Sequence, residues 1–181
     1  WYFYTINPPG ETKRFSEKYL LKALNKLSLL ILNSFIFYQI YKAKNVSCFT
    51  LRVSRLKVLD QWVLDRLSEV INSVEKDMDN YEVDRAARTV EEFISDLSRW
   101  YIRRSRRRFQ KPESKKDLEE ASLVLATVFC KLTKIIAPFT PFLAETIYQA
   151  LKKQTALFKF RESVHLENWP IAYAQNQKLL K

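Results

Sequence analysis

Near the middle of the chain, five arginines lie within the segment Trp100–Phe109, which has the sequence WYIRRSRRRF. A guanidinium group stays charged at any ordinary pH, and its planar fork of N–H donors matches the oxygens of a phosphate. Aromatic rings beside such a cluster can stack on unpaired bases. This combination of residue types predicts that the segment contacts RNA.

The arginines also have a structural interpretation, as a solvated network at the end of a helix. Basic side chains oppose the dipole at a helix C-terminus, and Arg99, Arg103 and Arg107 have polar neighbours in the sequence. These possible partners are Glu92, Ser95, Asp96 and Glu113. From Arg99 to Lys116, however, there are nine basic residues and one acidic residue. This excess is larger than a helix dipole needs and favours nucleic-acid binding.

The composition predicts a folded, basic domain. The 181 residues are 47% hydrophobic, enough for a buried core, and they carry a net charge of +11. A surplus of this size favours a polyanion or an anionic membrane surface as partner. Gly10 is the only glycine in the sequence. Neither a P-loop nor a dinucleotide-binding loop can therefore form, because both need several glycines.

The sequence offers no cluster of catalytic or metal-binding residues. His165 is the only histidine; Glu167 follows it, but no candidate nucleophile lies nearby, which favours a structural role. Cys48 and Cys130 are isolated and fit small buried residues in a reducing, cytoplasmic compartment. A disulfide between them is the alternative. We predict no catalytic residue, no cofactor and no metal in this chain.

Apolar residues that recur every three or four positions predict five long amphipathic helices. They cover about residues 16–41, 56–78, 82–109, 114–137 and 140–153. Short connections between them favour an all-α helical bundle. The pattern of residues 43–54 predicts a loop or a short strand. The pattern of Ser163–Leu166 predicts a short irregular or β-like segment, which precedes a last possible helix. We expect a linker over 1–15, the bundle over 16–153 and a C-terminal extension over 154–181.

The helical pattern assigns places to several of these side chains. Arg104 and Arg108 continue the apolar stripe of the third helix by one and two turns. Trp62 and Trp100 occupy core-type positions, for which packing is the expected role. The apolar run Leu27–Tyr41 is shorter than the roughly 20 residues of a membrane span and is interrupted by polar side chains, so it predicts a core helix.

Several segments resemble isoleucyl-tRNA synthetases, a class I family, and especially their archaeal and eukaryotic-like branch. WYIRRSRRRF is similar to a signature segment of that family. Leu59–Leu67, LDQWVLDRL, is similar to the family's LDRWILSRL helix start. The segments WYFYTINPPGETKRFSEK (Trp1–Lys18), APFTPFLAETIY (Ala137–Tyr148) and SVHLENWP (Ser163–Pro170) match the family in the same order. The resemblance covers nearly the whole chain.

The resemblance implies an α-helical anticodon-binding domain that recognises tRNA(Ile). The motifs HIGH and KMSKS are absent, so ATP and isoleucine would be bound by catalytic and editing domains upstream of Trp1, and this chain, expected to be a fragment, would not aminoacylate alone. The family's contacts imply Asn33 and Trp100 for the bases and Arg103, Arg104, Arg107 and Arg108 for the phosphates. Phe37 stands four residues after Asn33, where some relatives have Arg.

Two alternatives remain at the sequence level. In the first, the basic helix docks on the catalytic domain or on another protein. In the second, the domain binds any tRNA through its charge alone. No membrane partner is expected.

Overall fold

The computed structural model describes residues 1–7, 10–12, 15–44, 53–154 and 158–173. Within these ranges the chain forms helices and no strand, which confirms the all-α prediction. The helices are α1 (Tyr2–Thr5), α2 (Glu17–Tyr41), α3 (Val58–Asp79), α4 (Val83–Gln110), α5 (Lys115–Ile136) and α6 (Pro141–Gln154). Single 3-10 turns cover Val53–Arg55 and Val164–Leu166.

Two of the helix starts have a cap or start signal in the local sequence. The Ser114 hydroxyl accepts a hydrogen bond from the backbone N–H of Asp117 at 3.1 Å, which caps α5. Pro141 is the first residue of α6, where its fixed φ angle suits a helix and its missing N–H costs nothing.

Helix α5 lies at the centre of the bundle. Every residue from Ala121 to Cys130 is buried. The ring of Phe129 packs against Phe35 and Tyr38 of α2 at centroid distances of 5.2 and 5.8 Å. Helices α3 and α4 form an antiparallel pair whose connection turns at Tyr81, a non-glycine residue with a positive φ of 59°.

Helix α2 enters this core from Leu27 onwards. Ile31, Phe35 and Tyr38 are buried, whereas no residue of Glu17–Leu24 is buried. The whole helix is long and apolar enough to cross a membrane by length and composition, a weak criterion that core helices also meet. The core helix predicted for the run Leu27–Tyr41 is therefore observed, whereas the helical residues before it lie outside the core.

A π-helical segment in α4, Asp96–Ile102, changes which side chains face the core. A π turn holds more residues than an α turn, so the buried face moves round the helix after it. From Tyr101, near the end of this segment, the buried residues are Tyr101, Ser105 and Phe109, and Arg104 is exposed. The prediction that Arg104 continues the apolar stripe was wrong for this reason, and Trp100, at a predicted core position, is 46% exposed.

The two ends of the chain differ in detail from the sequence-level prediction. The predicted linker contains the short helix α1, which packs against α2 and α4. Ser163–Leu166 forms a 3-10 turn that packs on α5 and α6. Cys130 is a buried free thiol. The predictions for Cys48, for most of residues 43–54 and for a helix over 174–181 lie outside the described residues.

The tail segment is held to the bundle by the carboxylate of Glu167. This group accepts hydrogen bonds from Lys134 at 2.9 Å, from the backbone N–H of Arg161 at 3.0 Å and from the Tyr148 hydroxyl. Burial alone would raise the pKa of Glu167, but these donors outweigh it and lower the pKa to about 2. The ionised form is therefore favoured in the folded protein.

The contribution of Glu167 to stability should disappear in acid. Its pKa is lowered by folding from 4.5 to about 2, so the ionised carboxylate stabilises the fold above about pH 4.5. This stabilisation is lost as the pH falls from that value towards 2. Urea unfolding between pH 3 and 6 should show a steeper acid loss for the wild-type chain than for Glu167→Gln. Equal slopes would contradict the prediction.

Candidate nucleic-acid interface

Four arginines of the predicted RNA-binding segment project from the last turns of α4 into solvent. Arg103, Arg104, Arg106 and Arg107 are all exposed and lie between the π-helical segment and the end of the helix. We call these four residues, together with Trp100, the arginine surface. The helix places four unit charges within two turns, which creates a strongly positive end of the bundle.

The acidic residues that were alternative partners for these arginines are engaged elsewhere. Asp96 and Glu92 lie 3.1 and 4.0 Å from the guanidinium of Arg66 on α3. Glu113 lies 3.7 Å from Lys57. Among the described residues, no carboxylate lies within 4.0 Å of Arg99 or of the four arginines of the arginine surface. Their charge is therefore available to an anion from outside the chain.

Trp100 combines packing with exposure. One side of its ring packs towards Trp62 of α3, with 6.4 Å between centroids, and the guanidinium carbon of Arg104 lies 3.7 Å from the ring centroid. Such a stack attracts a cation to an aromatic face and fixes both side chains. The sequence-level expectation of a packing role holds in part, since nearly half of the residue remains accessible. The pair presents an aromatic and a planar cationic surface, and both can stack on bases.

Arg106 is a candidate that the site prediction omitted. Its guanidinium carbon lies 6.0 Å from the ring centroid of Phe37 on α2. Phe37 in turn packs edge-to-face on Phe109 at 5.3 Å, which brings α2 to the end of α4. Asn33 is exposed one helical turn before Phe37. Helix packing therefore brings the α2 segment with Asn33 towards the arginine surface. The signal for Arg106 is its contact with an aromatic ring on another helix, which the local sequence does not show.

Arg108 does not belong to the arginine surface. Its side chain is 13% exposed and its guanidinium binds two buried carboxylates. Nη1 donates to both oxygens of Asp60 at 2.9 and 2.8 Å, and Nε donates to Oδ1 of Asp117 at 2.9 Å. The prediction that Arg108 contacts phosphate is corrected accordingly, because this side chain keeps its predicted place on the inward-facing stripe and is turned towards α3 and α5.

The Arg108 ion pairs join three helices at one end of the bundle. The fully buried Asp60 of α3 also accepts a hydrogen bond from the Tyr101 hydroxyl at 2.7 Å. Burial and then the neighbouring Asp60 carboxylate raise the pKa of Tyr101 well above its usual value, so the hydroxyl remains a donor. Asp117 of α5 also lies 2.9 Å from Lys57. Burial would raise the Asp117 pKa, but Lys57 and Arg108 lower it.

Residues 60–180 match the family model of the anticodon-binding domain of tRNA ligase. The chain belongs to this family. The matched region contains α4 with the whole arginine surface. It also contains Asp60 and Asp117, the two carboxylate partners of Arg108.

Curated relatives cover almost the whole anticodon-binding domain. This domain is 41% identical over 179 residues to an isoleucine–tRNA ligase of Dehalococcoides mccartyi (strain CBDB1), and the match covers 95% of this chain and 17% of the relative. An isoleucine–tRNA ligase of Clostridium novyi (strain NT) is 39% identical over 94% of this chain and 16% of its own length. An isoleucine–tRNA ligase of Bacillus thuringiensis (strain Al Hakam) is 35% identical, and the match covers 100% of this chain and 17% of the relative. The chain thus spans about a sixth of these relatives and forms a C-terminal portion of them.

A solved structure shares the fold of the anticodon-binding domain. It is the crystal structure of the ternary complex of Agrobacterium radiobacter K84 agnB2 LeuRS, tRNA and LeuAMS. The TM-score is 0.57 at 16% sequence identity, and the match covers 99% of this chain and 19% of that one. At this identity the comparison supports the helical architecture and no individual contact.

Two sequence segments of the anticodon-binding domain meet in the Asp60–Arg108 pair. Asp60 belongs to LDQWVLDRL and Arg108 to WYIRRSRRRF, and these segments are 48 residues apart at the paired positions. One arginine of the second segment is therefore structural, whereas its neighbours face solvent.

Proposed function

We propose that this anticodon-binding domain recognises tRNA(Ile) through the arginine surface at the end of α4. The observation that carries the proposal is that four arginines are exposed there while the nearby carboxylates are paired with Arg66 and Lys57. Uncompensated guanidinium groups beside an accessible tryptophan fit phosphates and unstacked bases, which are the features of a single-stranded RNA loop.

The position of this surface in the bundle supports the proposal. Helix α1 packs near the start of α4, and the arginine surface lies at the other end of that helix. At a rise of ~1.5 Å per residue, the arginine surface lies about 20 Å along α4 from the part that α1 contacts. Recognition at a distance from the N-terminal side suits a loop that lies far from the acceptor end of a tRNA.

The proposed contacts fall into two groups. Arg103 and Arg107 bind phosphates, because they are exposed and unstacked and lie one helical turn apart. Trp100 with Arg104, and Asn33 with Arg106, are placed to contact bases. Phosphate contacts supply most of the affinity and base contacts supply the choice of sequence.

The proposal extends to the whole protein. We propose an isoleucine–tRNA ligase that charges tRNA(Ile) with isoleucine in the cytoplasm. In that protein the remaining polypeptide would bind ATP and would hold the catalytic and editing sites, with no cofactor in this chain. The relatives described above support this proposal, since all three are named isoleucine–tRNA ligase. Those relatives are bacterial, and the archaeal and eukaryotic-like branch stays a prediction.

Exchanging the anticodon tests base recognition directly. Binding of tRNA(Ile) should be compared with binding of the same tRNA carrying a different anticodon, at fixed salt and with an unchanged stem. We expect weaker binding of the exchanged tRNA by about 1–3 kcal/mol for each lost hydrogen-bonded contact to a base edge. Equal affinity for the two tRNAs at every salt concentration would mean that the domain binds tRNA through charge alone.

Replacing Trp100 separates stacking from charge. Trp100→Ala removes the aromatic platform and should weaken binding of tRNA(Ile) by about 1–3 kcal/mol if one base stacks there. The slope of log affinity against log salt should stay unchanged, because no cation is lost. Tyr81→Ala is the matched control: Tyr81 is 85% exposed at the opposite end of α4 and should bind RNA like the wild type. A normal affinity for Trp100→Ala would remove Trp100 from the interface.

A further inference from the structure

Three carboxylates meet one guanidinium in the groove between α3 and α4. Arg66 of α3 donates from Nε to Oδ2 of Asp96 at 3.1 Å and from Nη1 to Oε2 of Glu69 at 3.0 Å. Its Nη2 also lies 4.0 Å from Oε2 of Glu92. Among the described residues, no other basic side chain lies within 4.0 Å of these three carboxylates. The acidic group therefore depends on Arg66 alone for its neutralisation.

The acidic group lies directly beside the arginine surface. Asp96 precedes the exposed Arg99 by three residues and Trp100 by four. Side chains three or four positions apart are neighbours on a helix surface. Asp96 is also the first residue of the π-helical segment that leads into the arginine surface. A basic partner on its own helix is therefore available to the Asp96 carboxylate.

Asp96 nevertheless pairs with a cation on another helix. Arg66 is 30 residues away in the sequence, whereas Arg99 has no carboxylate within 4.0 Å in the part of the chain that the structure describes. A guanidinium can bind more than one carboxylate because its N–H donors form a planar fork. Arg66 thus keeps the Asp96 carboxylate turned towards α3 and away from the arginines that follow it on α4.

The ion pairs of Arg66 form the layer of the groove next to the tryptophan pair. Trp62 precedes Arg66 by one turn of α3 and packs towards Trp100 with 6.4 Å between ring centroids. Without the guanidinium, the three carboxylates would remain unpaired about one helical turn from Trp100. Arg99 and Arg103, which follow on the same helix, are the exposed cations that could then neutralise them.

We propose that Arg66 is a positioning residue for RNA binding, because it holds Asp96 and Glu92 on the α3 side of the groove and so keeps the arginine surface open to phosphate. This inference rests on the proposed function, since it concerns the same surface. A carboxylate of the chain and a phosphate of RNA compete for the same N–H donors of an arginine. The partner that Asp96 takes therefore sets how many arginines are free to bind RNA.

Arg66→Met in the full-length protein tests this inference. Binding of labelled tRNA(Ile) should weaken about two- to five-fold at low salt, because exposed ion pairs of modest strength must break before phosphates bind. The deficit should shrink as salt rises, since screening weakens the competing pairs. Arg85→Met is the matched control, because it releases Glu82 near the start of the same helix. It should bind like the wild type, and an equal loss for Arg85→Met would show a general effect of net charge and overturn the inference.

Removing the acid should have the opposite effect from removing the base. Asp96→Asn breaks the same ion pair but releases no carboxylate from it, so this variant should bind tRNA(Ile) at least as tightly as the wild type. Asp96→Asn in the Arg66→Met background should recover most of the lost affinity, and Arg66→Lys should lose less than Arg66→Met. A purely structural link between α3 and α4 would weaken binding in both single variants without recovery in the double variant, and this result would overturn the inference.

Arginine modification without RNA separates the failure of this inference from the failure of the proposed function. Phenylglyoxal attacks the neutral guanidine, and a neighbouring carboxylate favours the charged form. Arg99 and Arg103 should therefore react about two- to five-fold more slowly in Arg66→Met than in the wild type, as followed by peptide mass spectrometry, and Asp96→Asn should restore the rate. Unchanged rates in the folded Arg66→Met or Arg66→Lys protein would overturn the inference. Slower modification with unchanged tRNA affinity would support the shielding by Arg66 and contradict the proposed function.

Discussion

Asp60→Ala is expected to destabilise the domain by about 3–5 kcal/mol, because it leaves the Arg108 guanidinium without its principal partner in a buried place. Asp60 is fully buried and accepts hydrogen bonds from Arg108 and Tyr101. Removing the carboxylate therefore leaves the Arg108 guanidinium with Asp117 as its remaining carboxylate partner and takes the acceptor from the Tyr101 hydroxyl. Urea unfolding followed by circular dichroism measures the loss as a lower midpoint with an unchanged slope.

Two further variants show whether the loss comes from the Arg108 charge that has lost one of its two carboxylate partners. Arg108→Met in the Asp60→Ala background removes that charge and should recover part of the stability, as buried ion pairs can be replaced by apolar groups of similar volume. Glu75→Ala, an exposed change on the same helix, should alter stability by less than about 0.5 kcal/mol. A loss below about 1 kcal/mol for Asp60→Ala would contradict the assignment of this ion pair as a structural link.

The sequence predicted the elements of this fold well where a local signal exists. Ser114 and Pro141 mark the starts of α5 and α6 through a cap and a fixed φ angle, and both interactions involve residues within three positions. The apolar stripes predicted the long helices because burial of one face follows the helix period. These signals depend only on residues that are close in the sequence, so they can be recognised without the tertiary structure.

The candidate interface could be predicted only in part, because the helix period is interrupted. The π-helical segment Asp96–Ile102 turns Arg104 out of the bundle, whereas Arg108 stays on the inward-facing stripe. Nothing in the local sequence distinguishes the arginine that pairs with Asp60, since the two are 48 residues apart. The family resemblance identified the segment as a whole, but a resemblance does not separate structural arginines from those that face solvent.

The half-buried tryptophan illustrates the same limit. Trp100 sits at a position that the α-helical period assigns to the core, and its packing towards Trp62 satisfies part of that assignment. The π turn leaves the other part in solvent, where Arg104 covers it. The exposure that makes Trp100 a candidate for stacking is therefore a property of the local helix geometry, which the sequence pattern does not encode.

Arg103→Ala with Arg107→Ala is expected to cause the largest loss of tRNA binding. Each arginine is exposed and has no carboxylate partner in the described part of the chain. A charge-assisted hydrogen bond contributes about 1.5–3 kcal/mol, so the double variant should bind tRNA(Ile) more weakly by about 3–6 kcal/mol. The slope of log affinity against log salt should decrease by about 0.7–0.9 for each lost phosphate contact. Fluorescence anisotropy with labelled tRNA(Ile) at several salt concentrations measures both quantities.

Two single variants give this experiment its controls. Arg85→Ala removes an exposed arginine at the start of α4 that is already paired with Glu82, so it should change neither affinity nor salt slope appreciably. Arg108→Ala should lower the unfolding midpoint, because it leaves the Asp60 carboxylate buried without its cation. At a temperature where that variant remains folded, its salt slope should equal that of the wild type. A reduced slope for Arg108→Ala, or an unchanged slope for the Arg103 and Arg107 double variant, would mean that phosphate binding does not follow the division between exposed and buried arginines.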